Sequence, residues 1–136
     1  MIRQEIDVDG WWRVTVLWLP WPDDLPEVTR AYEEVGCPWR ELWYTRRLIR
    51  TGQMNKGYTY SNYQQRRSVT MIGRATDWAQ LQDTVAHELR HVTDDVLRWY
   101  DVENTGEPPA YTQGYLARQM ATVVKTMACP CCGSRG

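Results

Sequence analysis

The sequence predicts an α+β fold in which a small sheet, antiparallel or mixed, carries packed helices. Residues 11–19 are rich in β-branched and aromatic residues and are followed by Pro20, which is typical of a strand. Residues 57–63 and 68–73 have the same character and are short enough for two further strands. From residue 78 to residue 99, apolar side chains recur every three or four positions, which indicates a long amphipathic helix.

Two shorter helices are predicted between the first strand and the second. Asp23 and Asp24, followed by Pro26, are typical of a helix start, and this helix is expected to end near Gly36. Residues 39–49 are interpreted as the second of these helices.

The long helix and the helix that follows it have recognisable start signals. Thr76 is the predicted N-cap of the long helix, with Asp77 in its first turn. After the turn-forming residues 101–106, Glu107 and two prolines open the last helix. Each helix has an apolar stripe that is expected to face the core: Trp78, Leu81, Val85, Leu89, Val92, Val96 and Trp99 in the first, and Leu116, Met120, Val123 and Met127 in the second.

Length and charge limit the classes of protein to consider. The 136 residues predict one domain, residues 1–128, followed by a cysteine-rich tail, residues 129–136. A net charge of −1 gives no overall attraction for nucleic acid. Residues 46–74, however, contain seven basic side chains and no acidic one, whereas residues 75–107 are acidic. The two segments are expected to neutralise each other, and a basic surface for nucleic acid is the less favoured interpretation.

The sequence also bears on the cellular compartment. Its first residues lack the apolar core of a signal peptide, and no apolar run approaches the length of a membrane span. We therefore expect a cytoplasmic protein with no membrane partner. In that compartment the four cysteines are expected to be thiols or metal ligands rather than disulfides.

The most specific motif is His87-Glu88-Leu89-Arg90-His91, which contains both histidines of the chain. It has the form H-E-x-x-H, and a helix places its two histidines one turn apart on one face, where they can bind one zinc ion. At about 100° per residue, His87 and His91 lie on the arc opposite the apolar stripe, so they are expected to face a cleft or solvent.

A hydrolytic zinc ion needs three protein ligands and one position open to water. Glu107 is the predicted third ligand, because it lies sixteen residues after His91, at the start of the next helix, where the helix dipole favours a carboxylate. Asp94 and Asp95 are the alternatives. They are also candidates to accept hydrogen bonds from the imidazole N–H groups.

Two residues are predicted to take part in catalysis. Glu88 lies between the metal ligands and the apolar stripe, so it is the candidate general base that activates water. The developing oxyanion needs a hydrogen-bond donor besides the metal. Tyr111, one turn after Glu107, is the first candidate, and Tyr115 and Arg118 are the alternatives.

Through His87, Glu88 and His91, with Glu107, the chain resembles the zincin metallopeptidases, in particular small gluzincin-like ones. The order of segments from about residue 58 to residue 127 is similar to that of small metallopeptidases encoded in phages and prophages, and in plan to the SprT-like and ImmA/IrrE-like groups. The resemblance implies a zincin-like fold in which residues 68–73 form the edge strand that holds substrate, followed by the motif helix and a ligand helix. Two positions depart from family patterns: Leu97 excludes the branch with a third ligand six residues after the second histidine, and Tyr111 stands where gluzincins commonly have Asp.

The sequence therefore predicts a zinc-dependent metallopeptidase that acts on a peptide or protein, in the cytoplasm of a bacterial host if the gene belongs to a phage. The alternatives are a non-catalytic zinc-binding structural or phage assembly protein, and a DNA-associated protease. The tail contains Cys129, Cys131 and Cys132 in a C-P-x-C-G pattern, which is half of a zinc ribbon. With Cys37, or with a second tail in a dimer, these cysteines could hold another metal ion.

Overall fold

The computed structural model describes residues 1–52 and 56–128 and has the predicted α+β class. A single 3-10 turn, Pro22–Asp24, precedes the first helix. The strands are β1 (Ile2–Val8), β2 (Trp12–Trp18), β3 (Gly57–Asn62) and β4 (Arg67–Ile72), and the helices are α1 (Leu25–Glu34), α2 (Trp39–Arg50), α3 (Trp78–Trp99) and α4 (Glu107–Ala128).

The four strands form one mixed sheet in the order β1-β2-β4-β3. Strand β2 runs parallel to β4, while the β1–β2 and β3–β4 pairs are antiparallel. The expectation that the strand directly before α3 lies at the edge of the sheet is wrong. That strand, β4, is hydrogen-bonded on both sides, because the chain forms a hairpin that places β3 outside it.

Helices cover both faces of the sheet. Along β2, Trp12, Val14, Val16 and Trp18 point to the face on which α3 and α4 pack, while Leu17 points to the face covered by α1 and α2. This alternation follows from the two-residue period of a strand. The buried apolar residues accordingly form two clusters, one between the sheet and α3–α4 and the other between the sheet and α1–α2.

Helix α3 begins one residue later than its predicted cap implied. Asp77, rather than Thr76, is the N-cap, and its side chain accepts a hydrogen bond from the Gln80 backbone N–H at 2.9 Å. Trp78 is 48% exposed, so the buried stripe of α3 starts at Leu81. Within the described residues, no helix has the length and apolar character needed to cross a membrane.

Candidate metal centre

The two histidines of the motif lie together on the exposed face of α3. Their Nε2 atoms are 3.0 Å apart, and their ring centroids are 4.7 Å apart. This contact follows from the helix, which places side chains four residues apart above one another. The expected position of His87 and His91, opposite the apolar stripe, is confirmed.

The pair has the chemistry and spacing to share one metal ion. Two imidazoles that bind a tetrahedral zinc ion at about 2.0–2.1 Å have ring nitrogens roughly 3.3 Å apart. The observed 3.0 Å differs from that separation by only a few tenths of an ångström. Among residues 1–52 and 56–128, however, no third histidine, cysteine, aspartate or glutamate joins them in a group able to hold a metal.

The three candidates for the third ligand are placed in different surroundings. Glu107 is the exposed first residue of α4. Asp94 forms an ion pair with Arg90, with Nε and Oδ1 2.8 Å apart, and accepts a hydrogen bond from Asn104 at 2.6 Å. Asp95 is bound to β3, as described below. The structure therefore brings His87 and His91 together and none of the three carboxylates with them, so the third ligand stays a prediction.

Glu88 is buried beneath the edge strand, with 3% of its surface exposed. Its Oε2 atom accepts a hydrogen bond from the Thr59 hydroxyl at 2.6 Å, and Thr59 in turn contacts the Thr70 hydroxyl at 2.7 Å. Burial raises the pKa of the Glu88 carboxyl above its ordinary value. The hydrogen bond from Thr59 and the electrostatic interactions with His91 and His87 lower this pKa and so act in the opposite direction.

Gly57 makes the burial of Glu88 sterically feasible. A Cβ atom at this position would lie 2.4 Å from Glu88 Cγ and 2.7 Å from Glu88 Oε1, both far inside van der Waals contact. The absence of a side chain at the start of β3 therefore lets the carboxylate lie directly under the strand. Sequence reasoning did not assign this role to Gly57, because the contact depends on how β3 is placed over α3.

A second carboxylate of α3 is bound to β3 in the same way. Asp95 Oδ2 accepts a hydrogen bond from Ser61 at 2.6 Å, and Asp95 Oδ1 accepts one from Tyr63 at 2.9 Å. Ser61 also contacts the hydroxyl of Ser68, its partner on β4, at 2.7 Å. The sequence contains a signal for these contacts, since hydroxyl residues alternate along both strands: Thr59 and Ser61 on β3, and Ser68 and Thr70 on β4.

A cavity of about 270 Å³ opens between α3 and the start of β3. It joins one histidine of the pair to the candidate base, since both His87 and Glu88 contribute to its wall. The arrangement places an imidazole and a carboxyl group of raised pKa at one opening. The cavity is lined by Lys56, Gly57, Asp83, Thr84, His87 and Glu88.

Tyr111, the predicted oxyanion donor, lies at a different cavity. It is 74% exposed and lines a space of about 460 Å³ between α4 and the turn that joins β1 to β2. Neither histidine contributes to that wall. The catalytic role of Tyr111 stays a prediction, as does the metal site of the cysteine tail, which lies outside the described residues.

No family model, curated protein or solved structure matches the chain. The comparisons therefore identify no relative from which an activity could be transferred. A functional assignment has to be argued from the histidine pair, from Glu88 and from the strand that covers it.

Proposed function

We propose that the protein is a zinc-dependent metallopeptidase with a zincin-like, gluzincin-type site. The observation that carries the proposal is the 3.0 Å contact between the Nε2 atoms of His87 and His91. The intervening Glu88 faces the same cavity as the first of them. The two imidazoles would supply two of the three protein ligands that a hydrolytic zinc ion requires, and the carboxylate between them in sequence would supply the base.

Glu88 is the proposed general base. His87 and His91 would hold the zinc ion, which would lower the pKa of a water molecule and polarise the peptide carbonyl. Glu88 would accept a proton from the attacking water and deliver it to the leaving amine. A carboxyl whose pKa is raised by burial is better suited to return a proton near neutral pH than an exposed glutamate. Thr59 fixes the orientation of this carboxylate.

The position of β3 supports a peptide as the substrate. One side of β3 pairs with β4, and no described strand pairs with the other. Unpaired N–H and C=O groups along an edge strand can bind an extended peptide by main-chain hydrogen bonds. Because Glu88 lies beneath the first residues of β3, a peptide paired with this edge would pass close to the candidate base.

The test combines metal analysis with a variant of the base. Purified wild-type protein is expected to bind one zinc ion at the His87–His91 pair of each molecule and to hydrolyse an unfolded protein such as casein. Glu88→Gln should retain the zinc and lose hydrolysis, whereas His87→Ala should lose both. Glu103→Gln, at an exposed position after α3, is the matched control and should behave as wild type.

The proposal is contradicted if the wild-type protein is folded and binds no zinc. Zinc content also tests the third ligand separately. Glu107→Gln is expected to weaken zinc binding, while Asp94→Asn and Asp95→Asn should leave it nearly unchanged, because those carboxylates have partners elsewhere.

One observation favours a second candidate, a non-catalytic zinc-binding module. The hydrogen bond from Thr59 to Glu88 also anchors α3 to β3, so the burial of this carboxylate has a structural reason of its own. In this case the wild-type protein would bind zinc without hydrolysing any peptide. Glu88→Gln would then lower the free energy of unfolding and have no other effect.

A further inference from the structure

The outward face of α2 combines exposed tryptophans with arginines. Trp39 is 70% exposed and Trp43 is 48% exposed, although both are large enough to be core residues. Arg46, Arg47 and Arg50 follow on the same helix. Together these five side chains define what we call the Trp–Arg face.

Helix geometry explains why the tryptophans are outside. Positions 39, 43, 46 and 50 are spaced by four, three and four residues, so they form one stripe about 17 Å long. The opposite side of α2 is already filled by Leu42, Thr45, Leu48 and Ile49, all buried. The core side of α2 is therefore a different side of the helix, and the tryptophans of the Trp–Arg face stay largely exposed.

The charge of this face is not neutralised locally. Among residues 1–52 and 56–128, no carboxylate lies within ion-pair distance of Arg46, Arg47 or Arg50. Glu41, the acidic residue of α2, instead accepts a short hydrogen bond from the Tyr58 hydroxyl. The face thus presents three positive charges to any partner.

The arginines and Trp43 also form a concave surface. A cavity of about 290 Å³ is lined by Trp43, the three arginines and Thr51. Arg47 lies over the Trp43 ring, with its guanidinium carbon 5.6 Å from the ring centroid. The Nε atom of Arg46 is buried and has no hydrogen-bond partner within the described residues. A buried donor of this kind is costly unless a ligand or water satisfies it.

We propose that the Trp–Arg face binds single-stranded nucleic acid. Flat aromatic rings interleaved with guanidinium groups match the bases and phosphates of a strand, since the bases stack on the rings and the arginines contact the backbone. A duplex would hide its base faces from the tryptophans. An anionic membrane requires an apolar helix face to insert, and the apolar face of α2 is buried in the core.

The test measures binding of a fluorescein-labelled oligothymidylate to the full-length protein by anisotropy, at several salt concentrations. Trp43→Ala is expected to weaken binding about tenfold or more, because it removes a stacking platform. Trp78→Ala is the matched control, since Trp78 is equally exposed, at 48%, but lies on α3. Arg50→Ala should reduce the magnitude of the slope of log K against log salt by about 0.7, whereas Arg30→Ala, on α1, should not.

Circular dichroism confirms that each variant is folded before its binding is compared. The proposal is overturned if the wild-type protein does not bind the oligonucleotide at low salt. It is overturned equally if Trp43→Ala and Trp78→Ala weaken binding to the same extent, if a duplex of the same length binds as tightly, or if vesicles with phosphatidylserine bind in place of the strand. Glu88→Gln should bind the strand as wild type does, so this result is independent of the proposed peptidase activity.

Discussion

Gly57 is the residue that determines how closely β3 can approach α3. Substitution to alanine would put a Cβ atom 2.4 Å from Glu88 Cγ, and a hydrogen bond from Thr59 holds the Glu88 carboxylate in place. Either the carboxylate or the strand has to move. We expect Gly57→Ala to lower the free energy of unfolding, measured in urea, by about 1–3 kcal/mol.

Gly114→Ala is the control for that substitution. Gly114 lies within α4, and a Cβ atom there meets nothing within 4 Å. Alanine stabilises a helix interior more than glycine does, so this change should raise the free energy of unfolding by roughly 0.5–1 kcal/mol. If Gly57→Ala were as stable as the wild type, Glu88 could not lie beneath β3 as described.

Cys37 is expected to be an unreactive thiol. It is buried among residues of α1, α2 and β4, and burial, together with the negative charge of Glu41, raises its pKa to about 11. Because the thiolate is the nucleophile, and only a small fraction of Cys37 is in the thiolate form at pH 8, the residue should react slowly. We predict that a variant with the three tail cysteines replaced by serine reacts slowly with a thiol reagent.

The same variant in denaturant provides the reference rate for an accessible thiol. There the Cys37 thiol should react at least tenfold faster than in the native protein. Rapid modification without denaturant would contradict the burial of Cys37.

At the scale of elements, α3 is bound to β3 by two carboxylates with equivalent contacts. Glu88 and Asp95 are seven residues apart, which is two helix turns, and they contact Thr59 and Ser61, which are two residues apart on one face of the strand. Each of these hydroxyls also contacts its partner on β4. The contacts thus fix the rotation of α3, and with it the direction in which His87 and His91 point.

Asp95→Ala should therefore be much more destabilising than Asp94→Ala. Asp95 accepts hydrogen bonds from two side chains that are partly buried, and its loss leaves both donors without their acceptor. We expect a cost of roughly 2–3 kcal/mol in urea unfolding, since hydrogen bonds to charged groups contribute more than neutral ones. Asp94 is in a largely exposed ion pair with Arg90, so Asp94→Ala should lower the free energy of unfolding by less than about 1 kcal/mol.

A double-mutant cycle isolates the contact between α3 and β3. Ser61→Ala combined with Asp95→Ala should be less destabilising than the sum of the two single changes, because both remove the same hydrogen bond. Strict additivity would show that Ser61 and Asp95 do not interact, and would contradict the register of α3 over β3.

The elements that the sequence predicted are those with strong local signals. The bounds of α3 and α4 follow from apolar spacing and from charged or proline-rich starts, which are local properties. Strand β1 was not predicted, because only Ile6 and Val8 are buried along it and its other side chains are mostly polar. The sequence analysis placed β4 at the edge of the sheet, but β3 occupies that edge. Strand order could not be predicted because it depends on pairings between residues far apart in the chain.

At the scale of the whole molecule, only the part of the candidate site that depends on local signals could be predicted from the sequence. The exposed pairing of His87 and His91 depends on one helix alone, and it is confirmed. The burial of Glu88 depends on three elements, α3, β3 and β4, whose relative register no local pattern specifies. The separation of Tyr111 from the cavity at Glu88 likewise depends on how α4 packs beside the sheet.

Tyr32 couples the stability of the whole molecule to alkaline pH. Its side chain is completely buried between α1 and the sheet, and its hydroxyl donates to the Tyr58 carbonyl at 2.7 Å. Burial raises the pKa of Tyr32 well above its ordinary value, with the negative charge of Glu88 as the next cause. In the unfolded chain the same tyrosine loses its proton near pH 10.

Above pH 10 the unfolded state therefore binds fewer protons than the native state, and the free energy of unfolding falls as the pH rises. Each tyrosine that is held protonated in the native state contributes up to about 1.4 kcal/mol per pH unit to this decline. At neutral pH, Tyr32→Phe should be less stable than wild type by about 1 kcal/mol, because it loses one hydrogen bond.

The two stability curves should converge between pH 10 and pH 11, because the variant lacks one of the ionisations that destabilise the wild-type protein. Urea unfolding at half-unit intervals from pH 8 to pH 11 measures this convergence. Cys37 and Tyr58 are present in both proteins, so their contributions cancel in the comparison. Tyr44→Phe, at an exposed position on α2, is the control, and its curve should run parallel to that of the wild type. Parallel curves for Tyr32→Phe as well would mean that the Tyr32 hydroxyl ionises in the folded protein as readily as in the unfolded chain, which contradicts its burial in the core.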